Sequence, residues 1–147
     1  MNIRNHLKNN PFPLILLLIA VLSFSCEKAK EIVAQQSEDL VITLMTSGRW
    51  VVDQFSVSGT DVKLEFDGYE FQFLRDGTVE AIKGTTVVKG TWKANQTNMT
   101  IESSFPTGND TLKRLNYIWY ITKSGFTYVE AKVMEPNYIA NMKLVKK

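Results

Sequence analysis

The chain of 147 residues carries 17 Lys and Arg against 15 Asp and Glu, one cysteine, one histidine and 44% hydrophobic residues. That length suffices for one domain with a real core. The near-balanced charge offers no basic stripe to neutralise phosphates, which argues against a nucleic-acid partner, and the lone cysteine excludes an intramolecular disulfide.

The N-terminus begins with Arg4, His6 and Lys8 and has no acidic residue before Glu27. An apolar run from Leu14 to Leu22 follows, and Ser23-Phe24-Ser25 leads to Cys26. A basic start, a short apolar stretch and small residues at its exit mark a secretory signal peptide over residues 1–25. The alternative is an uncleaved anchor helix, but a membrane span needs roughly 20 apolar residues. Removing residues 1–25 takes away Arg4, His6 and Lys8 and leaves fifteen basic residues against fifteen acidic ones. Without histidine, a Ser-His-Asp triad, a Cys-His pair and a His-based zinc site are all excluded. Only paired carboxylates remain for catalysis, and the acidic residues are scattered as solvent-facing strand positions would be. The expectation is therefore a non-enzyme with no catalytic residue, cofactor or metal. The densest acidic group, Glu65, Asp67 and Glu70 around Gly68, lacks a calcium-loop spacing and reads as a turn.

Residues 26–47 read as a tether and short helix. Ile32, Val33, Leu40, Val41 and Leu44 recur on one face, and Gly48 supplies the stop. From Trp50 the period becomes two. Trp50–Val57 is the first strand; Tyr69, Phe71 and Phe73 alternate with Glu70, Gln72 and Leu74, and Arg75-Asp76-Gly77-Thr78 turns into Val79–Lys83. Gly84-Thr85 leads to Thr86–Trp92, with Gly90 expected at a bulge or sharp bend. Ala94–Thr97 turns into Met99–Glu102. The polar segment Ser103–Thr111 is the longest loop and a natural contact surface. Leu115, Tyr117, Trp119 and Ile121 then share one face of a long strand. Lys123-Ser124-Gly125 turns into Phe126–Met134, and Glu135-Pro136-Asn137 into Tyr138–Val145. With Val62–Phe66 as a further short candidate, this is an all-β chain of about 8 strands in an antiparallel meander. Such a meander avoids exposed edges by closing into a small up-and-down barrel over residues 48–147.

Two resemblances sharpen this outline. The segment ending at Cys26 resembles a bacterial lipobox of the looser kind common in Bacteroidota lipoproteins. That implies a diacylglyceryl thioether on Cys26 and an acylated amine after cleavage, which together hold a protein on a membrane durably. Glu27-Lys28 lacks the aspartate that retains some lipoproteins at an inner membrane, which favours the outer membrane of the cell envelope. Gly48-Arg49-Trp50, at the entrance to the first strand after a short helix, resembles the Gly-x-Trp signature of lipocalins. With FQFLRDGTV, GTW and the Trp119 strand, the chain looks like the small lipocalin-like domains of Bacteroidota lipoproteins. In lipocalins an arginine near the last strand commonly covers this tryptophan. Here that strand offers Lys143, so the leading helix or Arg114 is expected to cap Trp50 instead. The resemblance implies a non-catalytic binding module for a small apolar ligand. Phe71, Phe73, Trp92, Tyr117 and Trp119 either line its cavity or fill the core, the latter being favoured in so small a barrel. The alternative is a solid interaction protein that contacts an envelope partner or inhibits an enzyme. Asp110-Thr111-Leu112 resembles the O-glycan acceptor site of exported Bacteroidota proteins, which makes Thr111 a candidate for modification.

Overall fold

The computed structural model describes residues 40–147. Cys26 and the signal peptide lie outside the described residues. Helix α1 spans residues 40–46, and Ser47 caps its end with both its amide and its hydroxyl on the Leu44 carbonyl. Gly48, at φ +125°, then turns the chain into the sheet, a conformation that favours glycine. The strands are β1 Arg49–Val57, β2 Thr60–Asp61, β3 Tyr69–Phe73, β4 Thr78–Lys83, β5 Thr86–Asn95, β6 Thr100–Ser104, β7 Ile118–Gly125, β8 Tyr128–Glu135 and β9 Tyr138–Lys146. All are antiparallel to their neighbours, in the order β2-β1-β3-β4-β5-β6-β7-β8-β9. β9 also pairs with β1, from Trp50↔Lys146 to Val57↔Ala140, and this closes eight strands into a barrel. The fold class expected from the sequence is the one observed.

The inward set follows from the alternation. Tyr69, Phe71 and Phe73 of β3 face Ala81 and Val79 of β4 across the inner wall, while Glu70 and Gln72 face outward. Opposite them Val129, Ala131 and Val133 of β8 pair with Leu144, Met142 and Ala140 of β9. Two register shifts, between Val52 and Gln54 and between Ile121 and Lys123, give the wall the extra bend that closure requires.

Several local expectations change. Val62–Phe66 is not a strand: Lys63–Phe66 is a 3-10 turn. Asp61 Oδ1 accepts the Lys63 amide at 2.8 Å, and this local bond starts the turn in place of a ladder. The turn drops Phe66 onto Phe55, ring centroids 4.6 Å apart, and leaves Leu64 exposed. Gly90 is not a bulge, since β4 and β5 keep register through Val79↔Gly90. It is needed for another reason: a Cβ there would meet the Ser104 carbonyl at 2.4 Å and the Phe105 ring at 2.7 Å. The supposed long loop Ser103–Thr111 is shorter and folded inward. Ser103 and Ser104 belong to β6, and Asp110–Lys113 forms a one-turn helix, α2, capped by Asn109 Oδ1 on the Leu112 amide. Phe105 and Leu112 are both buried, so this segment plugs the barrel end where β7 begins. Leu115 and Tyr117 precede β7 instead of lying in it. In α1, Met45 and not Leu40 is the buried residue; Leu40 stands in solvent.

Candidate functional site

Both ends of the barrel are closed by side chains, and the closure at the α1 end centres on Trp50. Its ring is fully buried, and its Nε1–H donates to the Met45 carbonyl at 2.9 Å. Lys146 Nζ lies 5.3 Å from the ring centroid and donates to Ser47 Oγ at 2.9 Å, and its methylenes lie where a Cβ at Gly48 would meet them at 3.7–3.9 Å. Thus α1 does cap Trp50, as one of the two sequence alternatives had it. The covering cation, however, is Lys146. Arg114 sits at the opposite end, where its guanidinium grips Glu65 through two bonds of 2.8 and 3.1 Å. Its carbonyl accepts the Tyr138 hydroxyl at 3.3 Å. Lys143 faces outward and pairs with Asp53.

Of the five interior aromatics expected, four are inside. Phe71, Phe73, Trp92 and Trp119 are buried. Phe73 meets Trp92 edge-on at 5.2 Å, and Phe55 meets Trp119 at 5.6 Å. Trp92 Nε1–H donates to the Leu74 carbonyl and Trp119 Nε1–H to the Leu115 carbonyl, so no indole donor is left for a ligand. Tyr117 is the exception: half-buried, it stacks on Tyr138 at 4.1 Å with the rings nearly parallel. It lies before β7, outside the inward alternation. Residues that the sequence reading did not single out complete the interior, chiefly Met45, Phe55, Phe66, Phe105 and Leu112. Met45 was within reach of sequence reasoning as the i+3 neighbour of Ile42. Phe105 and Leu112 were not, because each is a single apolar residue in a polar stretch.

The space left inside is a cavity of about 30 Å³, walled by Met45, Phe71, Phe105, Trp119, Met142 and Leu144 among others. A water needs at least about 10–15 Å³, and a small-molecule site typically offers about 300–1,000 Å³. Ser103 is the polar residue on that wall, and its hydroxyl is already committed to the Leu115 carbonyl at 2.7 Å. The interior therefore has neither the room nor the free polar groups to hold and orient a ligand.

The outside offers more. Open hollows of about 510 Å³ on β5–β7, about 490 Å³ across β1, β8 and β9, and about 410 Å³ at the β8–β9 turn mark the outer wall. The acidic group around Gly68 is dispersed: Glu65 goes to Arg114, Asp67 to Lys63, and Glu70 to Arg49 and Lys147. No group of three metal-ligating side chains occurs among the described residues. Thr111 is half-buried in the first turn of α2.

No family model and no curated protein matches the chain. A crystal structure of a DUF4847 family protein from Bacteroides vulgatus is similar, with a TM-score of 0.56 and 16% identity. The match covers 73% of this chain and 97% of that one. The likeness is one of fold: both chains build the same kind of closed antiparallel barrel.

Proposed function

We propose that this chain is a lipid-anchored lipoprotein of the bacterial envelope whose lipocalin-like barrel is a solid interaction module working through its outer surface. The observation that carries this reading is the filled interior, with only about 30 Å³ left over. It favours the interaction protein over the carrier of a small apolar ligand. Gly48 and Trp50 keep the form of the lipocalin signature, and Lys146 takes the part of the covering arginine, which supports the lipocalin-like assignment. Their task here is to seal the barrel, not to touch a ligand. The anchor on Cys26, the outer-membrane location and a glycan on Thr111 rest on the sequence resemblances.

The test is native mass spectrometry of the chain from Glu27 onward, together with titration of an apolar fluorophore. An unadorned mass and no saturable fluorescence are expected. A co-purifying lipid or pigment in stoichiometric amount would overturn the reading. The anchor is checked separately by radioactive palmitate, whose incorporation Cys26→Ser should abolish.

A further inference from the structure

One of the outer hollows lies on the faces of β5, β6 and β7. It is formed by Lys93 and Asn95 of β5, Thr100 and Glu102 of β6, Ile118 and Tyr120 of β7, and Asn98 from the turn before β6. The register sets these in rows: Asn95↔Thr100↔Tyr120 and Lys93↔Glu102↔Ile118. Alternation explains why they share the outer face, because Ile101↔Trp119 between the rows points inward.

Thr100 is the telling residue. At 8% exposed it is the one buried polar residue among those described. Its hydroxyl makes no hydrogen bond to them. The oxygen is not sealed off, since Gln96 Oε1 is the sealed and unpartnered side-chain atom among the described residues. Thr100 lines the hollow, where a ligand hydroxyl would take the place of water on this oxygen.

The chemistry around it is specific. The two charged residues of the lining cancel, Lys93 Nζ lying 2.8 Å from Glu102 Oε2. By contrast, the hollow across β1, β8 and β9 is lined by five charged residues, Asp53, Asp61, Lys63, Glu130 and Lys143. Asn95 uses its oxygen on the Asn98 amide and keeps its NH₂ free, and Asn98 adds a second carboxamide. Tyr120 and Ile118 are 46% and 42% exposed and present apolar surface beside these donors and acceptors. The strands beneath are paired through their backbones, so the hollow is not an edge on which a peptide strand could add.

We infer that this outer groove is a binding site for a neutral oligosaccharide. A sugar ring has an apolar face that lies on an aromatic ring and a rim of hydroxyls that both donate and accept. Tyr120 supplies the first surface, and Thr100, Asn95 and Asn98 the complementary polar set. The charge cancellation excludes a requirement for an acidic or basic ligand. The open groove of about 510 Å³ falls within the size range of small-molecule sites. The inference rests on the reading that the barrel works from its outside.

The experiment is calorimetric titration of the full chain, in a detergent without a sugar headgroup, with maltohexaose, cellohexaose, xylohexaose, mannohexaose and an acidic galacturonic hexamer. Saturable millimolar or tighter binding of at least one neutral hexamer is expected. Tyr120→Ala should weaken it about tenfold and Thr100→Val several-fold, with unfolding midpoints close to the parent. Because Tyr120 is exposed, its variant keeps the test valid even where Thr100→Val folds poorly. Failure of every neutral hexamer, preference for the acidic one, or binding indifferent to Tyr120→Ala would each overturn the inference. An interior loaded with lipid defeats the proposed function; an empty interior without sugar binding defeats the groove alone.

Discussion

Gly90→Ala separates two explanations for a glycine in a strand by the sign of its effect. Gly90 has an extended backbone that any residue adopts, in register with Val79. On conformational grounds alone, alanine would stabilise the strand by about 0.5–1 kcal/mol. Packing says the opposite. The new Cβ would lie 2.4 Å from the Ser104 carbonyl oxygen and 2.7 and 3.0 Å from two ring carbons of Phe105. Neither neighbour yields easily: Ser104 is held in the ladder opposite Thr91, and Phe105 is buried against Phe71. Forcing one extra carbon into such a site costs about 1–3 kcal/mol, and contacts this short belong at the upper end. The net loss should be about 2 kcal/mol, a fall in Tm of about 8 °C for a domain of this size. Urea titration with an unchanged m-value is the assay. A variant as stable as the parent, or more so, would refute the packing argument and reinstate a purely conformational glycine.

Trp50→Phe keeps most of the buried ring but strands the Met45 carbonyl, and should cost about 1–3 kcal/mol. Lys146→Met keeps the covering stem and removes the charge with its exposed bond to Ser47 Oγ, for about 0.5–1 kcal/mol; equal losses in parallel urea titrations would contradict this division. At alkaline pH, Tyr138 should ionise above the ordinary phenol range, because burial first, and Tyr117 second, raise its pKa above 10.0. The folded state favours the neutral phenol, so this contribution is complete below pH 10 and is lost as pH rises through the folded value. Phenolate absorbance should show a late step that Tyr138→Phe removes, and its persistence in that variant would assign the step elsewhere.

The strands were legible because their information is local and repeated. Tyr69, Phe71 and Phe73 alternate without interruption, and Gly77 at φ +84° with Asp76 Oδ1 on the Thr78 amide makes the hairpin turn that Asp-Gly announces. What escaped is carried by single residues. Phe66 and Leu112 reach the core from one-turn helices too short to show a period, and Phe105 reaches it from a polar loop. The identity of the covering cation escaped too, because Lys143 and Lys146 differ in the sequence only by position along β9; pairing opposite Trp50 selects Lys146. The outer groove was invisible for a similar reason. Thr100 and Tyr120 read as ordinary outward positions, and only lateral register sets one against the other.

The seam between β1 and β9 also governs when this barrel can exist. β1 touches β3 at only two partner positions, Arg49↔Gln72 and Trp50↔Phe71, whereas it meets β9 along its whole length. Its principal neighbour is thus the strand of this barrel that is made last. Until residue 146 has emerged, an early apolar strand waits with one flank unpaired. Contacts so distant in sequence form slowly, and an unpaired edge in the meantime invites association with other chains. A chain cut before Tyr138 should therefore leave β1 and β8 as open, unpaired edges instead of a slightly smaller barrel.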